Sequence, residues 1–169
     1  MAAMLVMLGL VGCVAQPTMV PARDVEVSMD QALMAQNKLG DLMMGSVEWT
    51  ESEFSSLLSV LLEQNAGENN PIEDVTVWFE PNNQIVIRIQ LVDELVAGVS
   101  TLDVAGTVDV QGNHVVVDVT QAGTGNLSLS ESMLPAISEQ INTALADPQL
   151  GVAAGVETDS GVIRLNLGM

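Results

Sequence analysis

Apolar residues recur at helical spacing in two segments near the start of the chain. The clearer one follows the capping-box sequence Thr50-Glu51-Ser52-Glu53, with apolar residues at i, i+3, i+4, i+7 and i+8, and it predicts an amphipathic helix. Another capping-box spacing predicts a helix from Ser28 to Met44, ended by Gly45. Between the two, Ser46-Val47-Glu48-Trp49 is typical of a short strand. The apolar faces of the helices contain Ala32, Ala35, Leu39, Leu42 and Met43, and Phe54, Leu57, Leu58, Leu61 and Leu62.

After Pro71, apolar residues recur at every second position, in four runs of alternating apolar and polar residues. Two pairs of these runs are joined by Pro81-Asn82-Asn83 and Gln111-Gly112-Asn113, which are typical turn sequences. The pattern predicts a four-stranded antiparallel meander with one polar face. Its inward residues would be Val75, Val77, Phe79, Ile85, Ile87, Ile89, Leu91, Leu102, Val104, Gly106, Val108, Val110, Val115, Val117 and Val119.

A third helix and a closing hairpin complete the pattern. The helix has Pro135 in its first turn and ends at Asp147-Pro148, and its apolar face includes Leu134, Ile137 and Ile141. The hairpin pairs 152–156 with 163–167 across a turn at Asp159-Ser160-Gly161. The whole chain therefore predicts the fold class α+β with the element order α-β-α-β-β-β-β-α-β-β.

The first residues of the chain form an uncharged apolar run that ends in Leu10-Val11-Gly12-Cys13. This pattern is typical of a bacterial lipoprotein cleavage site, and the run is too short to span a bilayer as a stable helix. It predicts a signal peptide at 1–12, a lipidated Cys13 (palmitate among its acyl chains), a linker over 13–27 and a single domain over 28–169. A first core strand or a plain signal peptide are the alternatives, and Met1-Ala2-Ala3 lacks the basic residue usual in signal peptides.

The charge balance narrows the possible partners. The chain has 22 acidic and four basic residues, a net charge of -18 and only 2% aromatic residues. Nucleic-acid binding, which needs basic residues against phosphates, is excluded. An anionic membrane surface would repel the domain, so attachment to the extracytoplasmic face of the cell membrane would depend on lipid at Cys13. With one cysteine, no intramolecular disulfide is possible.

Residues able to carry catalysis or bind metal are few. His114 is the only histidine and lies beside the Gly112-Asn113 turn, where an exposed side chain is expected and not a catalytic triad. The acidic residues are dispersed. Asp103, Asp109 and Asp118 can share a strand face, for which solvation is the ordinary explanation and weak Ca²⁺ binding the alternative. The sequence predicts no enzyme activity, no metal site and no cofactor.

Several short phrases, taken in order, resemble the LmeA-like phospholipid-binding proteins of the tubular lipid-binding (TULIP-like) group. The resemblance covers about 47–167. It implies a curved antiparallel sheet of about six strands wrapped on amphipathic helices as a half-barrel, with an apolar groove for acyl chains. The phrases are Trp49-Thr50-Glu51-Ser52-Glu53-Phe54, the strand-turn-strand from Val77 to Ile89, the paired strands around Gly106 and Gly112, Leu134-Pro135, Ile141-Asn142 and the hairpin through Gly161.

Two functions are compatible with these patterns. One is a non-enzymatic, lipid-anchored protein that binds an apolar ligand such as a phospholipid or fatty-acyl chain. The other is a structural or interaction lipoprotein with a dry core, whose acidic face binds an envelope partner; a normally packed core has the same inward aliphatic residues. For Met29, Met34, Met43 and Met44, filling of the core is favoured over an adaptable binding surface. The ligand-lining residues of the first function would be Phe54, Leu58, Leu61, Ile85, Ile87, Val117, Ile137 and Ile141.

Overall fold

The helices and strands follow one another in nearly the predicted order. The computed structural model describes residues 19–42, 44–65, 72–92, 100–124, 127–128, 130–146 and 153–167. Within these ranges the α+β class is confirmed, and a two-residue strand and a 3-10 turn at Glu131–Met133 are added before the last helix. The elements are α1 (Met29–Leu42), β1 (Ser46–Thr50), α2 (Glu51–Asn65), β2 (Ile72–Glu80), β3 (Gln84–Leu91), β4 (Thr101–Gln111), β5 (His114–Thr124), β6 (Leu127–Ser128), α3 (Leu134–Leu145), β7 (Gly155–Asp159) and β8 (Val162–Asn166).

The strands form two antiparallel sheets. The larger has the order β2-β3-β4-β5-β6 and the smaller the order β1-β8-β7. Neither sheet is closed or strongly curled, so the prediction of one curved sheet wrapped as a half-barrel is wrong. The smaller sheet separates because β1 pairs with the closing hairpin, where Val47 and Trp49 lie opposite Leu165 and Ile163 and all four are buried.

The turn between β2 and β3 of the larger sheet is hydrogen-bonded to β7 of the smaller sheet. Asn82 and Asn83 both have positive φ angles, 66° and 59°, which asparagine tolerates better than most residues. The side-chain NH₂ group of Asn83 donates to the Val156 carbonyl, and the side-chain oxygen of Asn83 accepts from the Thr158 N–H. The predicted turn is therefore confirmed, and it also fixes the position of β7.

The core is built around α2. Trp49 and Phe79 contact the ring of Phe54, with centroid distances of 6.0 and 5.3 Å. The inward residues predicted for the meander are mostly buried in the same cluster, and Ile89, Leu102 and Val110 are partly buried against it. The predicted helix faces are confirmed by the burial of Ala32, Ala35, Phe54, Leu57, Leu58 and Leu61.

Polar side chains of α2 cover the outer edge of β2. Glu51 accepts a hydrogen bond from the Phe79 N–H at 2.8 Å, and Ser55 accepts one from the Val77 N–H at 2.8 Å. One turn further on, Ser59 accepts from Val75 at 3.4 Å. Four helical residues advance about 6 Å and two strand residues about 6.6 Å, so side chains at i, i+4 and i+8 match alternate N–H groups of the strand.

Helix α3 covers the opposite edge in a similar way. Asn142 accepts from the Val117 N–H at 2.6 Å and donates to the Val117 carbonyl at 3.0 Å, while Ser138 donates to that carbonyl at 2.8 Å. These bonds satisfy backbone groups of β5 that face away from β4. The edge strand β2, and β5 before its short pairing with β6, are therefore both hydrogen-bonded to helix side chains.

The segment before α1 is bound to the domain. Arg23 binds Glu51 and Glu80, and its carbonyl accepts from the Trp78 indole N–H at 3.0 Å. Further along, the N–H groups of Glu26 and Ser28 donate to Ser52 and Ser56 of α2, both at 3.0 Å. Residues 23–27, which the sequence assigned to the linker, therefore lie against α2; Cys13 and the rest of the signal sequence lie outside the described residues.

Strands β4 and β5 approach each other closely at an irregularity in their register. The pairing shifts between Ala105 and Gly106, so that Ala105 lies opposite Gln121 and Gly106 opposite Val119. A Cβ atom at Gly106 would lie 2.3 Å from the Asp118 carbonyl oxygen. Only glycine fits this position without a shift of the backbone.

No helix in the described ranges combines the length and apolar character needed to cross a membrane.

Candidate functional site

A polar groove lies between the outer face of the larger sheet and α3. Its volume is about 280 Å³. It is lined by Thr107, Asp109, Gln111, Val116, Val117, Asp118, Ser138 and Asn142.

Strand register places the groove residues on one face. Thr107 lies opposite Asp118, and Asp109 lies opposite Val116, so alternate residues of β4 and β5 point to the same side. The hydrogen bonds from Ser138 and Asn142 to Val117 hold α3 beside this face and form the second wall. Two carboxylates, two side-chain amides and two hydroxyls thus line one recess, which suits a basic or polyhydroxylated group.

The residues predicted to line an apolar ligand come together in the core. Phe54, Leu58, Leu61, Ile85, Ile87 and Val117 are between 1% and 4% exposed and belong to one cluster, and Ile141 packs partly buried against it. The side chain of Ile137 lies outside the described residues. Val117 lines the polar groove as well.

The three aspartates singled out in the sequence separate into two environments. Asp103 is bound by Arg88 through two hydrogen bonds of 2.7 and 2.9 Å, whereas Asp109 and Asp118 line the groove. His114 is exposed at the start of β5. Across the residues that the structure describes, no group of three or more His, Cys, Asp or Glu side chains is placed to hold a metal ion.

Every basic residue of the chain is bound to a carboxylate of the same domain. Arg23 bridges Glu51 and Glu80 at 2.7 and 2.8 Å, and the Glu51 hydrogen bond is the main reason that its pKa is raised. The hydrogen bonds that Arg88 donates to Asp103 likewise raise the pKa of Arg88. The remaining pairs are Lys38 with Glu53, and Arg164 with Glu48 and Glu157.

Glu53 closes the predicted capping box at the start of α2. Its carboxylate accepts from the Thr50 N–H at 2.9 Å, and the Glu53 N–H donates to the Thr50 hydroxyl at 3.2 Å. Burial, the largest single influence, raises the pKa of Glu53, but the bonds from Lys38 and Thr50 together lower it below its ordinary value of 4.5. The carboxylate is therefore held in its charged form.

We expect this carboxylate to make stability depend on pH in the acid range. The pKa is lower in the folded than in the unfolded chain, so the unfolded state takes up the proton first as the pH falls. The stabilising contribution is complete above the unfolded pKa near 4.5 and is lost as the pH falls through the lower folded value. Urea midpoints measured between pH 7 and about pH 3 should decline less for Glu53→Gln than for the wild type. Equal declines would contradict this role.

Several large apolar side chains are exposed on or just after α1. Met29, Leu33 and Met34 are 63%, 50% and 53% exposed, and Met44 is 87% exposed. The prediction that the methionines fill the core is wrong for Met29, Met34 and Met44, because the buried face of α1 is formed by Ala32 and Ala35. Met43 lies outside the described residues.

The sequence was compared with protein-family models and with curated proteins. No family model matches the chain, and no curated protein matches it significantly.

Proposed function

We propose that the protein is a non-enzymatic, extracytoplasmic lipoprotein that is anchored through Cys13 and binds an envelope partner with its acidic surface. The observation that carries the proposal is the internal use of all four basic side chains. With net charge -18, the other carboxylates have no basic residue of the chain left to pair with. A partner with a basic surface would be attracted and oriented by this field.

The polar groove is the part of this surface best shaped to bind a side chain. Asp109 and Asp118 are exposed at its wall, and Gln111 and Thr107 offer further hydrogen bonds. A lysine or arginine of a partner would find two carboxylates within one recess. We therefore assign the groove as the centre of the acidic binding face.

A two-step experiment tests this proposal. First, Cys13→Ser should move the protein from the membrane fraction to the soluble fraction; retention in the membrane would contradict lipid anchoring. Second, the released protein is used as bait for chemical cross-linking in an envelope extract over a salt series. Asp109→Asn combined with Asp118→Asn should reduce the cross-linked product well below that of Asp24→Asn combined with Glu63→Gln, which removes the same charge elsewhere.

Equal losses in the two double variants would argue against the groove and leave only a general charge effect. A cross-linked product that does not decline with salt would argue against an electrostatic partner. An extract that yields no cross-linked product at low salt would contradict the interaction itself.

A second candidate is the binding of a phospholipid or fatty-acyl chain, as the resemblance to LmeA-like proteins implies. The observation in its favour is that seven of the eight predicted lining residues meet in one apolar cluster around α2. However, Phe54, Leu58 and Ile87 are each 4% exposed or less, and such deep burial favours a dry, packed core over a ligand groove. Native mass spectrometry of gently purified protein should detect a bound lipid if this function is correct, and a delipidated preparation that binds no fluorescent fatty acid would contradict it.

A further inference from the structure

The segment that joins the proposed anchor to the domain is held differently from the helices and strands. Residues 23–28, which we call the strap, belong to no helix or strand. The N–H groups of Glu26 and Ser28 donate to the hydroxyls of Ser52 and Ser56 on α2. The Ser56 hydroxyl in turn donates to the Glu26 carbonyl at 3.4 Å. The strap is therefore attached to the outside of α2 through side chains, and not through the backbone of a neighbouring strand.

Arg23 fastens the N-terminal end of the strap. Its guanidinium donates to Glu51 at 2.7 Å and to Glu80 at 2.8 Å. It also donates to the Phe79 carbonyl at 3.0 Å, and the Arg23 carbonyl accepts from the Trp78 indole N–H at 3.0 Å. One residue thus binds both α2 and β2, so the loss of its side chain removes several contacts of the strap at once.

The strap adds little to the buried core. Arg23, Val25 and Val27 are half-buried and the residues between them are exposed, so no residue of the strap is fully buried. Trp78, which the strap binds, lies on the opposite face of β2 from Val77, and the apolar cluster around α2 is formed without it. Release of the strap would therefore affect Trp78 and leave that cluster covered.

We infer that the strap opens as one unit while the rest of the domain stays folded, and that Arg23 is the residue that holds it closed. Segments with few buried apolar contacts and partly exposed hydrogen bonds open at a lower free energy than core strands. The side chains of Arg23 and Glu80 are 34% and 33% exposed, so water and salt compete with this pair. The strap is therefore the part of the described chain best placed to open locally.

Opening of the strap changes how far the domain can lie from the membrane. This consequence rests on the lipid anchoring proposed above. With the strap closed, the tether runs over the ten positions from Cys13 to Arg23 and extends to about 35 Å at most. With the strap open, it runs over the sixteen positions from Cys13 to Met29, the first residue of α1, and extends to about 55 Å. The folded domain then reaches partners at a greater distance from the bilayer.

Amide hydrogen exchange tests the inference, followed by NMR on the lipidated protein in detergent micelles. The reporters are the N–H groups of Glu26 and Ser28, and the amides shared between β4 and β5 report unfolding of the whole domain. Arg23→Gln should accelerate exchange at both reporters roughly fivefold or more and leave β4 and β5 unchanged. The matched control is Arg164→Gln, because Arg164 also binds two carboxylates, but on the smaller sheet. It should leave both reporters unchanged.

Two further measurements examine the opening itself. Ser52 binds the strap at Glu26, so Ser52→Ala should accelerate exchange at Ser28 as well if the strap opens as one unit. Opening also frees the indole of Trp78, whereas Trp49, the other tryptophan, is fully buried in the core. Acrylamide should therefore quench the tryptophan fluorescence of Arg23→Gln more strongly than that of the wild type.

Three results would overturn the inference. Faster exchange in Arg23→Gln that is equal at the reporters and in β4 and β5 would mean that the strap opens only when the domain unfolds. Unchanged exchange at Glu26 and Ser28 would mean that Arg23 does not hold the strap closed. An effect of Ser52→Ala confined to Glu26 would mean that the strap does not open as a unit. Failure of the anchor is recognised separately, because Cys13→Ser would then remain in the membrane fraction while the exchange rates still report the strap.

Discussion

Replacing Gly106 with alanine is expected to lower the free energy of unfolding by about 3 kcal/mol, near the upper end of ordinary point substitutions. The added Cβ would lie 2.3 Å from the Asp118 carbonyl oxygen and 3.0 Å from its carbon. Both neighbours are backbone atoms of the paired strand, so no side-chain rotation relieves the clash. The strands must separate at the register shift, which also displaces Asp118 from the groove.

Gly40 supplies the matched control for this substitution. It lies in α1, where an added Cβ would meet no heavy atom within 4 Å. Gly40→Ala should raise the free energy of unfolding by about 0.5–1 kcal/mol, because alanine favours the helix over glycine. Urea denaturation of both variants in the Cys13→Ser background gives the comparison. Similar midpoints for the two would mean that β4 and β5 do not approach closely at Gly106.

Glu51→Ala is expected to be destabilising by a similar amount, about 3 kcal/mol. The Glu51 side chain is buried, and its loss leaves the buried Phe79 N–H without this acceptor. It also removes one of the two carboxylates that bind Arg23, and with it the ion pair between Arg23 and α2. Urea midpoints and the slope of the denaturation curve measure the effect.

Glu51→Gln separates the two parts of this role. Glutamine retains an oxygen that accepts from Phe79 and removes only the charge that faces Arg23. Since Arg23 is about a third exposed, the charge should matter less than the buried N–H, and the loss should be about 1 kcal/mol. If Glu51→Gln lowered the free energy of unfolding as much as Glu51→Ala, the ion pair with Arg23 would dominate. That result would contradict the role proposed for the hydrogen bond between Glu51 and the edge of β2.

The elements with local signals were predictable from the sequence. The Thr50–Glu53 capping box marks the start of α2, and alternation gives the inward faces of β2 to β5. The partner of β1 was not predictable, because Glu48 and Arg164 pair across 116 positions and nothing near β1 specifies β8. The prediction of a single sheet was wrong because β1 and the closing hairpin form a sheet of their own.

The functional surface was less accessible to sequence reasoning. Ser55 and Ser59 have the pattern of a solvated helix side, yet they bind β2, because a strand edge is a polar partner that periodicity does not detect. Ser138 and Asn142 were missed for the same reason, since both bind the backbone of Val117. Asp109 and Asp118 were recognised as sharing a face, but their groove depends on the position of α3.

The placement of the four basic residues has a consequence for cleavage by trypsin-like proteases, which cut only after lysine or arginine. Lys38 lies within a helix, and Arg88 and Arg164 lie in strands with a paired strand on each side. A protease needs several residues in extended form, so these three bonds become accessible only when the domain opens. The peptide bond after Arg23 differs from the other three because it lies before the first helix and outside every helix and strand. Cleavage there would separate the intact domain from Cys13.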